Sequence, residues 1–125
     1  MLVDTDVMIW LLRGSPAALA ALEPLPEAAI SDVTVMELLQ GSRGRHEQNQ
    51  VKRMLSNFPF RLVPVSERIS NRAVALVEEY AVPSGLRLAD ALLAATALEM
   101  GETLLTGNWK HFQAIRKLEV KKFTP

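Results

Sequence analysis

Ten glutamates and four aspartates supply every acidic side chain of this 125-residue chain. Glu is better tolerated than Asp inside helices, so each Asp needs its own account. Asp4 closes the apolar opening of MLVDTD, and Asp6 follows two positions later. Asp90 is the only charged residue in LADALLAATAL, and Glu37 sits among apolar neighbours in TVMELLQG. A carboxylate in such surroundings is costly when desolvated and unpaired. A metal ion or a basic partner relieves that cost. Thr106 and Asn108, in LLTGNWKHF, add further oxygen ligands. Three carboxylates without any cysteine match a hard cation, Mg²⁺ or Mn²⁺ rather than Zn²⁺. The two histidines lack H-E-x-x-H-type spacing, and neither a glycine-rich phosphate loop nor a G-x-S-x-G elbow occurs. An acidic metal pocket suits phosphodiester hydrolysis, with the ion polarising the phosphate and lowering the pKa of a water.

Each residue also has a local role open to it. Asp4 can help to cap the following helix, and Asp6 or Thr5 fits the N-cap of a helix starting near Val7. Thr34 and Glu37 form a T-x-x-E capping box. Asp32 reads as a cap or first-turn acid, and Asp90 suits the positive end of a helix dipole. Thr106 and Asn108 can simply bond the backbone of a TGN turn. His111 reads as a structural or surface histidine.

The elements that must position these groups alternate in type. Residues 2–4 predict a short strand, and Val7 to Gly14 a short helix that ends at its glycine. Ser15 and Pro16 start a second helix as N-cap and first helical residue. AAI before Ser31 predicts a strand, TVMELLQG a helix stopping at Gly41, and RHEQNQVKRMLSNF a polar amphipathic helix. FRLVPV predicts a strand that Pro64 confines to an edge or an end. SERISNRAVALVEEY is helical by the spacing of Ile69, Ala73, Leu76 and Tyr80, with Ser66 as cap. VPSG predicts a loop, LADALLAATALEM a buried helix, and TLLT and LEVKKF the last strands. This order predicts a single α/β/α sandwich over residues 1–125 with a mostly parallel sheet. Ligands of such folds sit beyond the carboxyl ends of the strands, where Asp4 falls.

Composition narrows the setting. Hydrophobic residues make up 49% of the chain, yet no run is long enough to span a membrane, and no signal peptide opens it. The absence of cysteine is compatible with a reducing cytoplasm. Fourteen basic residues balance fourteen acidic ones. That excludes a wholly polyanion-binding surface but leaves room for a basic rim around an acidic pocket.

LVDTDVMIWLLRG, VTVMELLQG, LRLADALLAATAL and LLTGNWKHF resemble, in order and spacing, the acidic motifs of PIN-domain ribonucleases. They are most similar to VapC-type toxins of bacterial toxin–antitoxin pairs. The resemblance spans essentially the whole chain. It implies an acidic triad of Asp4, Glu37 and Asp90, binding of Mg²⁺ or Mn²⁺, and attack of water on an RNA phosphodiester. Asp4 and Asp90 are then the principal ligands, with Glu37 completing the shell or orienting the nucleophile. Many relatives carry Asp where this chain has Asn108, so a second metal would be held less tightly, and Asp6 can partly compensate. A homodimer and a VapB-type antitoxin covering a hydrophobic groove and the acidic pocket are also implied. Arg13, Arg43, Arg45, Lys52 and Arg87 are candidate RNA-phosphate contacts.

Two other readings compete. DTDVM approaches the D-x-D-x-[TV] motif of haloacid dehalogenase-like phosphatases, with Asp4 as nucleophile and Asp6 as acid/base, although TLLTGN lacks that family's late acidic pair. A non-catalytic PIN-like binding domain is the other, and Asn108 is the residue that favours it.

Overall fold

A computed structural model describes residues 1–125, forming one domain with five strands and six α-helices. The strands are β1 (Leu2–Val3), β2 (Ala29–Ser31), β3 (Arg61–Val63), β4 (Leu104–Thr106) and β5 (Val120–Lys122). They pair in the order β3-β2-β1-β4-β5, and every pairing is parallel. The expected mostly parallel sheet is therefore wholly parallel. The helices are α1 (Thr5–Leu12), α2 (Pro16–Leu22), α3 (Asp32–Gln40), α4 (Arg45–Asn57), α5 (Glu67–Ser84) and α6 (Leu88–Met100). A 3₁₀ turn, Trp109–His111, links β4 to β5.

Alternation along these short strands divides the interior into two layers. Leu2, Ala29 and Leu104 point into one core with Ala73, Leu76, Ala94 and Phe112, beneath α5 and α6. Val3, Ile30 and Leu105 point the other way and pack with Val7, Met8, Leu38, Val51 and Met54 from α1, α3 and α4. The sandwich is thus built by one residue's change of face. Strand order reverses between β1 and β4, which places a topological switch point beside the end of β1.

Three local expectations are corrected. First, α1 begins at Thr5 and its N-cap is Asp4, not Asp6 or Thr5. The Asp4 N–H still donates to Leu105 O in the sheet, while its carbonyl accepts from Val7 and Met8. The strand therefore passes into the helix with no loop. Second, α3 begins at Asp32, capped by the Ser31 side chain on the Val33 N–H. Asp32 is a first-turn acid as expected, but Thr34 is inside the helix and the T-x-x-E box does not form. Third, VPSG is not a loop up to its glycine, since α5 continues through Pro83 to Ser84. Pro83 sits in the last turn. Beyond it Gly85, at φ 68°, lets its N–H reach Ala81 O, and the Leu86 N–H reaches Tyr80 O. A glycine is the residue that adopts this left-handed conformation without steric cost.

Candidate active site

Asp4 stands at the carboxyl end of β1 and is only 6% exposed. Its Oδ1 accepts the Thr5 N–H at 2.7 Å, and its Oδ2 accepts the Thr106 hydroxyl at 2.6 Å. Thr106, fully buried at the end of β4, accepts in turn from the Asn108 N–H at 2.9 Å. The neighbouring strands β1 and β4 thus join through side chains as well as through the sheet. No cationic side chain pairs with Asp4. Its carboxyl is pushed up from 3.8 to about 7, chiefly by burial, against the hydrogen bond from Thr106. The charges of Asp6 and Asp90 add to the rise.

Glu37 comes from α3. Its Oε1 accepts the Thr5 hydroxyl at 2.7 Å, and Thr5 Oγ1 lies 2.9 Å from Thr34 Oγ1. Thr5 has one hydroxyl proton, given to the carboxylate, so Thr34 donates to Thr5. Two buried threonines therefore hold Glu37 against the start of α1. Asp90 occupies the first turn of α6, and its Oδ2 lies 3.5 Å from His111 Nδ1.

Asp4, Glu37, Asp90, Asp6 and Asn108 line one open cleft of about 490 Å³, together with Thr5, Arg87, Leu88 and His111. The end of β1, the starts of α1 and α6 and the middle of α3 deliver residues from distant parts of the chain to this one place. Asp6 differs from the reading as a helix cap. Its Oδ1 accepts the Val7 N–H and its Oδ2 accepts the Gly107 N–H, each at 2.9 Å. It braces the turn after β4 against α1. Burial raises its carboxyl pKa, and those backbone hydrogen bonds oppose the rise. A Cβ at Gly107 would lie 2.5 Å from Asp6 Oδ2, so only glycine fits that contact.

Thr5, Thr34 and Gly107 carry site geometry that the sequence motifs left unassigned, and His111 joins the cleft rather than standing apart. The one visible signal was the TGN turn, whose glycine follows a site threonine directly. Among the basic candidates, Arg87 lines the cleft. Arg13 and Arg43 line a neighbouring groove that shares Glu37, whereas Arg45 and Lys52 line neither.

The donor set consists of carboxylate, hydroxyl and amide oxygens around a buried, uncompensated acid, and this fits a hard divalent cation. The acids are held by protein donors, and no three acidic or histidine side chains stand in ligating array. Glu37 Oε2 and Asp90 Oδ1 have no hydrogen-bond partner in the protein, and both residues line the same cleft. Asp6, with both oxygens on backbone N–H groups, is not placed as the acid/base of a phosphatase.

The PIN domain family matches residues 1–118. Ribonuclease VapC19 of Mycobacterium tuberculosis (strain ATCC 25618 / H37Rv) is 33% identical over 123 residues, covering 94% of this chain and 96% of the relative. Ribonuclease VapC1 of Rickettsia felis is 29% identical over 130 residues, covering 96% and 93%. Among solved structures, a toxin-antitoxin complex from Klebsiella pneumoniae superposes with a TM-score of 0.80 at 35% identity, over 97% of this chain and 95% of that one.

Proposed function

The chain belongs to the PIN-domain family, among its VapC-type ribonucleases, and from that premise we propose a Mg²⁺- or Mn²⁺-dependent endoribonuclease that acts as the toxin of a toxin–antitoxin pair. The observation that carries the metal dependence is Asp4, a buried carboxylate without a cationic partner whose proton is retained to about pH 7. Asp4 and Asp90 would hold the cation, with Glu37 beside them. When bound, it would supply a water of lowered pKa and stabilise charge developing on the phosphate.

The chain's own residues prepare that chemistry. Thr106 fixes one Asp4 oxygen, Thr5 and Thr34 fix Glu37, and Asp6 fixes the turn that carries Asn108. Asn108 offers an amide oxygen without charge. Arg87 on the cleft wall is suited to a phosphate of the RNA. The phosphatase reading loses its acid/base, because Asp6 is committed to the backbone.

A second groove, of about 570 Å³, runs between α1, α2 and α4 and is lined by Leu11, Leu12, Leu19, Met54 and Phe58. A segment of a VapB-type antitoxin would cover it and the acidic cleft. A homodimer would use exposed apolar residues such as Met36 and Leu88. No helix is long and apolar enough to cross a membrane, and we place the protein in the cytoplasm with its RNA.

Cleavage of a structured RNA should require Mg²⁺ or Mn²⁺ and fall by about 100-fold or more in Asp4→Asn or Asp90→Asn. Both variants should keep the native circular dichroism spectrum. Undiminished cleavage in both variants would overturn the triad, and equal cleavage in chelator would overturn the metal dependence.

A further inference from the structure

We propose that Trp109, Lys110 and Lys122 form a platform for single-stranded RNA beside the cleft, with a base stacked on the indole and phosphates held by the two lysines. The inference rests on the ribonuclease reading and adds where the substrate lies. An acidic cleft repels RNA, so the phosphates on either side of the scissile bond need cations at its margin.

Several cations elsewhere are engaged by acids: Arg61 by Glu27 and Glu102, and Arg68 and Arg72 by Glu99. Lys110 and Lys122 instead rest on the Trp109 ring, with Nζ 5.8 and 3.7 Å from its centroid. Lys122 pairs in register with Thr106, whose hydroxyl holds Asp4. Trp109 directly follows Asn108, which lines the cleft. The indole and both ammonium groups therefore continue the site along its β4–β5 side.

A tryptophan in such a turn is often there to fill the core. Here that task is done by Phe112 and Ile115, both buried in the layer under α5 and α6, and Trp109 belongs to neither core. It is half-buried, between two exposed lysines. Base stacking on an indole outweighs an exposed cation–π contact. An arriving base can therefore displace Lys122 from the ring and free its ammonium for a phosphate.

The test uses the full chain with Trp10→Phe, which leaves Trp109 as the sole indole. A short single-stranded RNA of mixed sequence, labelled at its 5′ end with fluorescein, is titrated in chelator at low salt, and its anisotropy gives the affinity of every variant without cleavage. Indole fluorescence should quench on binding. Trp109→Ala should weaken affinity by about 5- to 100-fold, with Trp109→Phe retaining part of it. Lys122→Glu should also weaken binding and flatten its salt dependence. Lys122 is exposed, so that variant and Trp109→Phe keep the test open even if Trp109→Ala unfolds.

Unchanged affinity in Trp109→Phe and Lys122→Glu, with metal-dependent cleavage of RNA intact in the parent, would overturn the platform and leave the ribonuclease reading standing. Variants that lost affinity only for a protein partner would reassign the surface to that partner and likewise overturn it. A parent that neither bound nor cut RNA would overturn both.

Discussion

The carboxyl of Asp4 keeps its proton to about pH 7 because burial, with Asp6 and Asp90 nearby, disfavours the charge. An unfolded chain releases that proton near the ordinary value of 3.8. Between those two values the native state binds more protons than the unfolded state, so stability falls as pH rises through the window and the loss is complete above it. The expected loss reaches up to roughly 4 kcal/mol in the absence of metal. Asp6, raised in the same direction, adds to it. Asp4→Asn should flatten this slope and make the metal-free protein more stable at neutral pH, as read by urea denaturation at several pH values. Added Mg²⁺ should raise the melting temperature of the parent more than that of the variant. The importance of Asp4 was legible from its position after LV. The partners that set its protonation were not, because Thr106 lies 102 residues away.

Elements meet at this site through joints that have no slack. Asp6 reaches from α1 to the Gly107 N–H, and the space where a Cβ would stand is filled by its Oδ2. Gly107→Ala should push Asp6 aside and cost about 1–3 kcal/mol, the range for a buried polar group losing its partner. The same change made in Asp6→Ala should cost much less, and a double-mutant cycle in urea measures the difference. Most elements were legible from periodicity and turn residues, including Ser15 and Ser66 as caps. The starts of α1 and α3 were not. Asp4 and Ser31 serve the sheet and the helix at once, and no local pattern distinguishes such a residue from the last member of a strand. Pro83 misled for a different reason: proline and glycine mark turns in general, but a proline in a final helical turn is followed here by a left-handed cap.

Over the whole molecule, the switch in strand order gathers residues 4, 37, 90 and 108 into one cleft, and helices cover both faces of the sheet. The class of fold could be read from alternating elements. The acids and the hard cation they suit could be read from residue types, but their convergence in one cleft followed only through resemblance, since spacing along the chain does not say which elements meet. Assembly is the property to test at this scale. Sedimentation should give a homodimer, and Met36→Glu with Leu88→Glu should yield a folded monomer. A dimer unchanged by both substitutions would place the interface elsewhere.

The side-chain clasp between Asp4 and Thr106 also has a consequence in time. Asp4 is synthesised 102 residues ahead of Thr106, so β1 cannot gain its β4 neighbour until that strand has been made. Until then the acid has neither its hydroxyl partner nor Asn108 alongside. The acidic cleft is therefore completed late in synthesis, once β4 and the turn behind it have joined the sheet.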